Sequence, residues 1–192
     1  MRPRENPFRV ECLEALPYQF LNGSLDGLLS QLERQQNRGA IVGPHGHGKS
    51  TLMGRVGRAL EERGETVRML RITEANRSQQ SSLLRDWLGR SGNPAGEFLF
   101  LDGAEQLTWW NWRRVRAASR LRRGFVITSH SAGLLPTLYE CLTTQGLLRQ
   151  LVSELTTAPV NMDLDTLFQR HQGNIRECLR SLYDEMSTQE RV

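Results

Sequence analysis

Gly43-Pro44-His45-Gly46-His47-Gly48-Lys49-Ser50 meets the pattern G-x-x-x-x-G-K-[ST] at every fixed position and runs on into Thr51. The pattern follows an apolar run, Ala40-Ile41-Val42, and opens a helix expected from Lys49 to about Arg63, where Gly64 stops it. A strand, glycine-rich turn and helix in that order can turn backbone N–H groups inward around phosphate oxygens. The helix N-terminus adds a partial positive charge at the same place. Lys49 is then positioned to neutralise phosphate charge, and the Ser50 hydroxyl to bind Mg²⁺. His45 and His47 fall at variable positions of the pattern and are expected to face solvent. Composition sharpens the role of Lys49. Of the 25 basic residues, 24 are arginines and this is the one lysine. It stands where a compact ammonium suits a phosphate cradle and a wide planar guanidinium does not.

The remaining composition is that of an ordinary globular chain. With 192 residues, 38% of them hydrophobic and 24% charged, it fits one domain or one domain with a small appendage. The arginine excess behind the +4 net charge reads first as the codon bias of a GC-rich genome, ahead of a nucleic-acid surface. No apolar run approaches the ~18–20 residues a membrane span needs, and no signal-peptide core follows the charged start. Cys12, Cys141 and Cys178 are odd in number and widely spaced, which suits reduced thiols in a cytoplasmic protein.

Residues 1–37 read as an irregular segment broken by Pro3, Pro7, Pro17 and Gly23, then a helix capped by Ser24. Residues 38–143 form the expected core. Its strands lie at Ala40–Val42, Thr66–Ile72, Phe98–Leu101, Phe125–Thr128 and about Leu138–Leu142, with Ser91–Pro94 as a loop. Helices are expected over Ser81–Leu88 and over Ala104–Arg122. In residues 144–192 three more helices, about Gln145–Leu155, Leu164–His171 and Ile175–Met186, form a small helical lid. Strands alternating with helices imply an α/β fold, a three-layer sandwich around a parallel sheet of about five strands.

Phe98-Leu99-Phe100-Leu101-Asp102 adds a second chemical element, a carboxylate ending a buried strand where it can hold Mg²⁺. With the phosphate loop it resembles the P-loop NTPases of the additional-strand class, and more narrowly the AAA+ ATPases. That resemblance covers about Arg38 to Met186 and implies ATP and Mg²⁺ as ligands. It further implies that the polar end of the buried strand in Phe125-Val126-Ile127-Thr128-Ser129-His130, with Ser129 foremost, sits near the γ-phosphate as a sensor. It implies that Arg176, in Gly173-Asn174-Ile175-Arg176-Glu177, reaches the nucleotide from the lid. The chain is also similar to short ATP-binding proteins of planctomycete-type bacteria, a likeness that supplies no function.

The departure from the AAA+ pattern is Gly103, which stands where hydrolytic members carry a glutamate after the strand-ending aspartate. Glu105, Glu74 and His130 are the candidate replacements. Glu105 reads equally as a carboxylate favoured by a helix N-terminus. Two functions of different classes follow. One is an ATPase; the other is a nucleotide-dependent switch or partner-binding module with little turnover. A small-molecule kinase finds no acceptor motif. Trp109-Trp110-Asn111-Trp112-Arg113-Arg114-Val115-Arg116 is the most unusual stretch, with Arg113, Arg116, Arg120 and Arg123 at helical spacing. Leu107, Trp110, Val115, Ala118 and Leu121 are expected to face the sheet. The arginine face then suits solvent, nucleic acid, another protein, or a neighbouring copy's γ-phosphate in a homo-oligomer. Tyr18 and Phe20 suit either adenine stacking or core packing.

Overall fold

The computed structural model describes residues 6–89, 92–157 and 160–188. The charged start and Ser91 of the expected 91–94 loop lie outside them. The chain divides into two compact units, one of Asn22–Gly43 and Lys49–Glu140, the other of residues 6–21, Pro44–Gly48 and the chain from Cys141 onward. No helix among the described residues is long and apolar enough to cross a membrane.

The first unit is built on five parallel strands: β1 (Arg38–Val42), β2 (Thr66–Arg71), β3 (Glu97–Asp102), β4 (Gly124–Ser129) and β5 (Thr137–Glu140). Their spatial order is β2-β3-β4-β1-β5, so β4 lies between the first strand and the third. Both central strands β3 and β4 are buried along their whole length, the reason their sequences are unbroken apolar runs. Alternation sorts their side chains between two faces. Leu99, Leu101, Phe125 and Ile127 join Leu84, Trp87 and Val115 of the helices on one side. On the other side Gly57 brings α3 (Lys49–Glu62) against Phe100, whose ring would stand 3.5 Å from a Cβ at that position. Each fully buried Phe or Leu in these layers contributes about 1.5–3 kcal/mol. Helix α2 (Leu25–Arg34) buries Leu28, Leu29 and Leu32, and its Ser24 cap accepts from Gly27 N as expected.

The helix after β3 differs from expectation. Gly103 takes a left-handed conformation, Ala104–Gln106 form one 3₁₀ turn, and α5 spans only Trp109–Ser119, started by the Thr108 hydroxyl. Its inward residues are Val115 and Ser119, with Trp112 half-buried and stacked on Phe125 at 6.1 Å. Trp110 and Leu121, expected inside, are 74% and 73% exposed. Trp110 stands five residues from Val115, about 140° around a helix of 3.6 residues per turn, and so points away from the sheet.

The second unit is helical: α1 (Val10–Ala15), α6 (Gln145–Leu155), α7 (Leu164–Arg170) and α8 (Ile175–Thr188). Its core joins Phe8 to Leu148, Val152, Leu167, Cys178 and Leu182. The N-terminal segment is therefore not irregular throughout. Phe8 is buried, Leu13 packs on the same core, and Asn6 Nδ2 donates to Tyr183 O and Ser187 Oγ at 3.0 Å each. Burial of those side chains holds a short helix that Pro7 and Pro17 conceal in the sequence. Helix α4 (Gln80–Gly89) belongs to the sheet unit. The three cysteines, all described, form no disulfide, and burial raises the Cys178 thiol above its ordinary range.

Candidate nucleotide site

Within the sheet unit, the polar groups at the carboxyl ends of β1, β3 and β4 form one hydrogen-bonded cluster. Lys49 opens α3 and is buried, an unusual state for a lysine, and its Nζ donates to Gly43 O at 2.6 Å. Ser50, the next residue, donates from Oγ to Asp102 Oδ1 at 3.0 Å. Thr128 Oγ1 donates to the same oxygen at 2.7 Å and itself accepts from Gly103 N at 2.8 Å. The second carboxylate oxygen of Asp102 pairs with Arg71 Nε at 2.8 Å. Parallel registration makes Arg71 the β2 partner of Asp102, which explains why a cation from another strand reaches it. Asp102 is thus a buried carboxylate held by two hydroxyls and a guanidinium, arranged as a buried charge requires.

Ser129 pairs in register with Val42 at the end of β1, and its carbonyl accepts from Gly43 N at 3.2 Å. Thr128, its neighbour, is the residue that touches Asp102. Sequence reasoning missed Arg71, which nothing in its local pattern marks. Within the polar strand end Thr128-Ser129-His130 it favoured Ser129, and the strand order brings Thr128 to the carboxylate instead.

Gly103 is constrained by two independent features. Its φ is +88°, and a Cβ there would lie 2.2 Å from the Ile72 carbonyl oxygen. No glutamate fits at this position without rebuilding the turn. Two residues later Glu105 sits in the 3₁₀ turn rather than in a long helix. Its Oε1 lies 3.1 Å from His130 Nε2, while Oε2 is buried with no hydrogen-bond partner among the described residues. A buried carboxylate oxygen left open calls for a ligand, a water or an ion. Glu74 lies exposed in the turn Glu74–Gln79 that follows β2.

In the helical unit, residues Pro44–Gly48 pack against the start of α8 and the segment before it. Gly46 and Gly48 have φ of +73° and +82°, a conformation glycine adopts without strain. A Cβ at Gly46 would fall 1.7 Å from Asn174 Oδ1, and one at Gly48 would fall 3.0 Å from the Tyr18 ring. Asn174 Oδ1 also accepts from Glu177 N, capping α8. Pro44 is exposed, and so is His45, as expected. His47 is not: it is half-buried, and its Nδ1 is hydrogen-bonded to Cys141 O at 3.2 Å. Tyr18 packs within this unit, edge-on to Phe20 at 5.1 Å and with its hydroxyl on Cys141 Sγ. Arg176 is exposed on the first turn of α8, and Thr51 is exposed on α3.

Ser50 and Asp102 bring together a hydroxyl and a carboxylate, oxygen groups of the kind that could hold a divalent cation. Mg²⁺ is commonly bound through one or two protein oxygens with phosphate and water completing the shell, so a dedicated cage of carboxylates is not required. No family model matches this chain, and no curated protein matches it.

Proposed function

We propose that the chain is an AAA+-like P-loop protein that binds Mg·ATP and hydrolyses it to drive or signal a conformational change. The observation that carries this reading is the 3.0 Å hydrogen bond from Ser50 Oγ to Asp102 Oδ1. It joins a hydroxyl of the glycine-rich motif to a strand-ending carboxylate 52 residues away. The strand order supports the additional-strand class, because β4 separates β1 from β3.

The residues present fit the ligand. Gly46 and Gly48 hold positive φ, Lys49 is a buried ammonium engaged with a backbone carbonyl, and Ser50 and Asp102 are already paired. On binding, Lys49 would exchange the Gly43 carbonyl for phosphate oxygens, a stronger charge-assisted bond. Ser50 and Asp102 would hold Mg²⁺, which supplies neutralisation of charge on the β- and γ-phosphates. Glu105 is the base this arrangement favours over Glu74, since its carboxylate is partly enclosed and has one oxygen open. It would orient the attacking water and accept its proton, while His130 fixes its rotamer. Arg176 would contribute positive charge against the γ-phosphate, as the family resemblance implies.

A switch with little turnover is the second reading, and Gly103 favours it, because the turn excludes a glutamate directly after Asp102. Steady-state phosphate release separates the two. The ATPase reading expects Mg²⁺-dependent release that Lys49→Ala abolishes. It also expects Glu105→Gln to slow release about 100-fold, with ATP still bound and Glu74→Gln near wild type. Release unaffected by Lys49→Ala would overturn it. Tight binding without release in the wild type would leave the switch.

A further inference from the structure

We propose that the outer face of α5 binds single-stranded nucleic acid, with Arg113, Arg116 and Arg120 on the phosphates and Trp109 stacking a base. A cleft of about 460 Å³ runs along this helix, lined by Trp109, Trp112, Arg113, Arg116, Ala117 and Arg120. Among the described residues none of Arg113, Arg114, Arg116 or Arg120 has a carboxylate within ion-pair distance. Arg122 and Arg123, a few residues on, are instead paired with Glu97 and Glu65 at 2.6 and 2.7 Å. The chain therefore neutralises the end of this segment and leaves its outer face charged. That charge is felt nearby: the Arg38 guanidinium is held below its ordinary range, first by burial and then by Arg120.

The aromatic groups choose among acidic partners. Trp109 and Trp110 are 57% and 74% exposed, and they meet edge to face with centroids 4.5 Å apart. Arg113 lies over the Trp109 ring at 4.7 Å, a cation–π contact that holds the half-exposed indole in place beside the arginine row. An acidic peptide offers carboxylates for the arginines but no planar group for the indole. A paired duplex keeps its bases stacked internally, whereas an unpaired strand presents both phosphates and free base faces. Arg113 and Arg120 are seven residues apart, about 10.5 Å along the helix axis, a span of roughly three stacked nucleotides.

The proposal is independent of the nucleotide site, so its test uses the full chain without ATP. Fluorescence anisotropy compares labelled oligothymidylate of about 20 nucleotides with a duplex and with polyglutamate of equal length. The single strand is expected to bind most tightly, with a slope of log K against log salt near about −2, that is about −0.7 for each of three phosphates. Arg116→Ala should reduce the steepness of that slope by about 0.7, and Arg116→Lys should restore it. Trp109→Ala should weaken binding about five-fold or more while leaving the slope unchanged. Circular dichroism confirms that each variant folds. Equal or tighter binding of duplex or polyglutamate, or an affinity indifferent to Trp109→Ala, would overturn the assignment.

Discussion

The two polar regions of the sheet unit stand in opposite states. Around Asp102 each charge has a partner on the chain: Lys49 on Gly43 O, Arg71 on Asp102, and Ser50 and Thr128 on the same carboxylate. On the outer face of α5, arginines and tryptophans are extended toward solvent, with no carboxylate of the described residues within ion-pair distance of Arg113, Arg116 or Arg120. The difference is one of burial. A charge in the interior must be satisfied by the fold itself or the fold fails, whereas a charge at the surface is solvated and can wait for a partner. The first region is therefore specified residue by residue, and the second only by its overall chemistry.

That contrast can be broken by substitution. Gly103→Glu, which would place a glutamate directly after Asp102, should destabilise the chain by on the order of 4 kcal/mol, since it combines an unfavourable φ with a backbone clash. Thermal denaturation measures it, and a stable, more active variant would show that the turn is not the constraint described. Thr128→Val removes a donor to Asp102 and strands the buried Gly103 N–H, for an expected loss of about 2–3 kcal/mol by denaturant unfolding. Arg71→Ala should matter much less for stability, because the guanidinium is about half exposed. It also frees one oxygen of Asp102, so the Mg²⁺ concentration for half-maximal nucleotide binding should fall up to about five-fold. The smallest effect is expected in the helical unit. The Asp163 carboxyl caps α7 and is held below the usual range by the Thr166 hydroxyl and then by the Asp165 backbone N–H. Its contribution is present above about pH 4 and is lost as pH falls through the lowered folded value. Asp163→Asn should therefore lower stability slightly at neutral pH and least below the lowered folded value, which flattens the acid limb.

The glycine-rich turn and the strand-ending Asp102 were legible in the sequence because each is a local pattern: glycines for positive φ, a lysine at the helix start, an aspartate ending an apolar strand. Strand positions followed from the same apolar runs. The contacts of Thr128 and Arg71 with Asp102 were not legible, since they depend on which strands become neighbours and in what register. Asn174 was overshadowed by Arg176, yet it is Asn174 that lies against Gly46. In the helix after β3, angular phase outweighs hydrophobicity. Trp110 is apolar, but it does not share a face with Val115, and Leu121 lies beyond the helix end at Ser119. The short helix α1 was hidden because its stability comes from tertiary burial of Phe8 and Leu13 rather than from its own propensity.

The central claim is that Gly43–Thr51, with Lys49 as its one lysine, is a phosphate cradle. Calorimetric titration of the purified chain with Mg·ATP tests it most directly, alongside Lys49→Ala and a circular dichroism check of its fold. The account predicts saturable binding near one nucleotide per chain, weakened at least about ten-fold in the folded variant by loss of the charge-assisted contact. No heat of binding in the wild type, or equal affinity in both proteins, would contradict it.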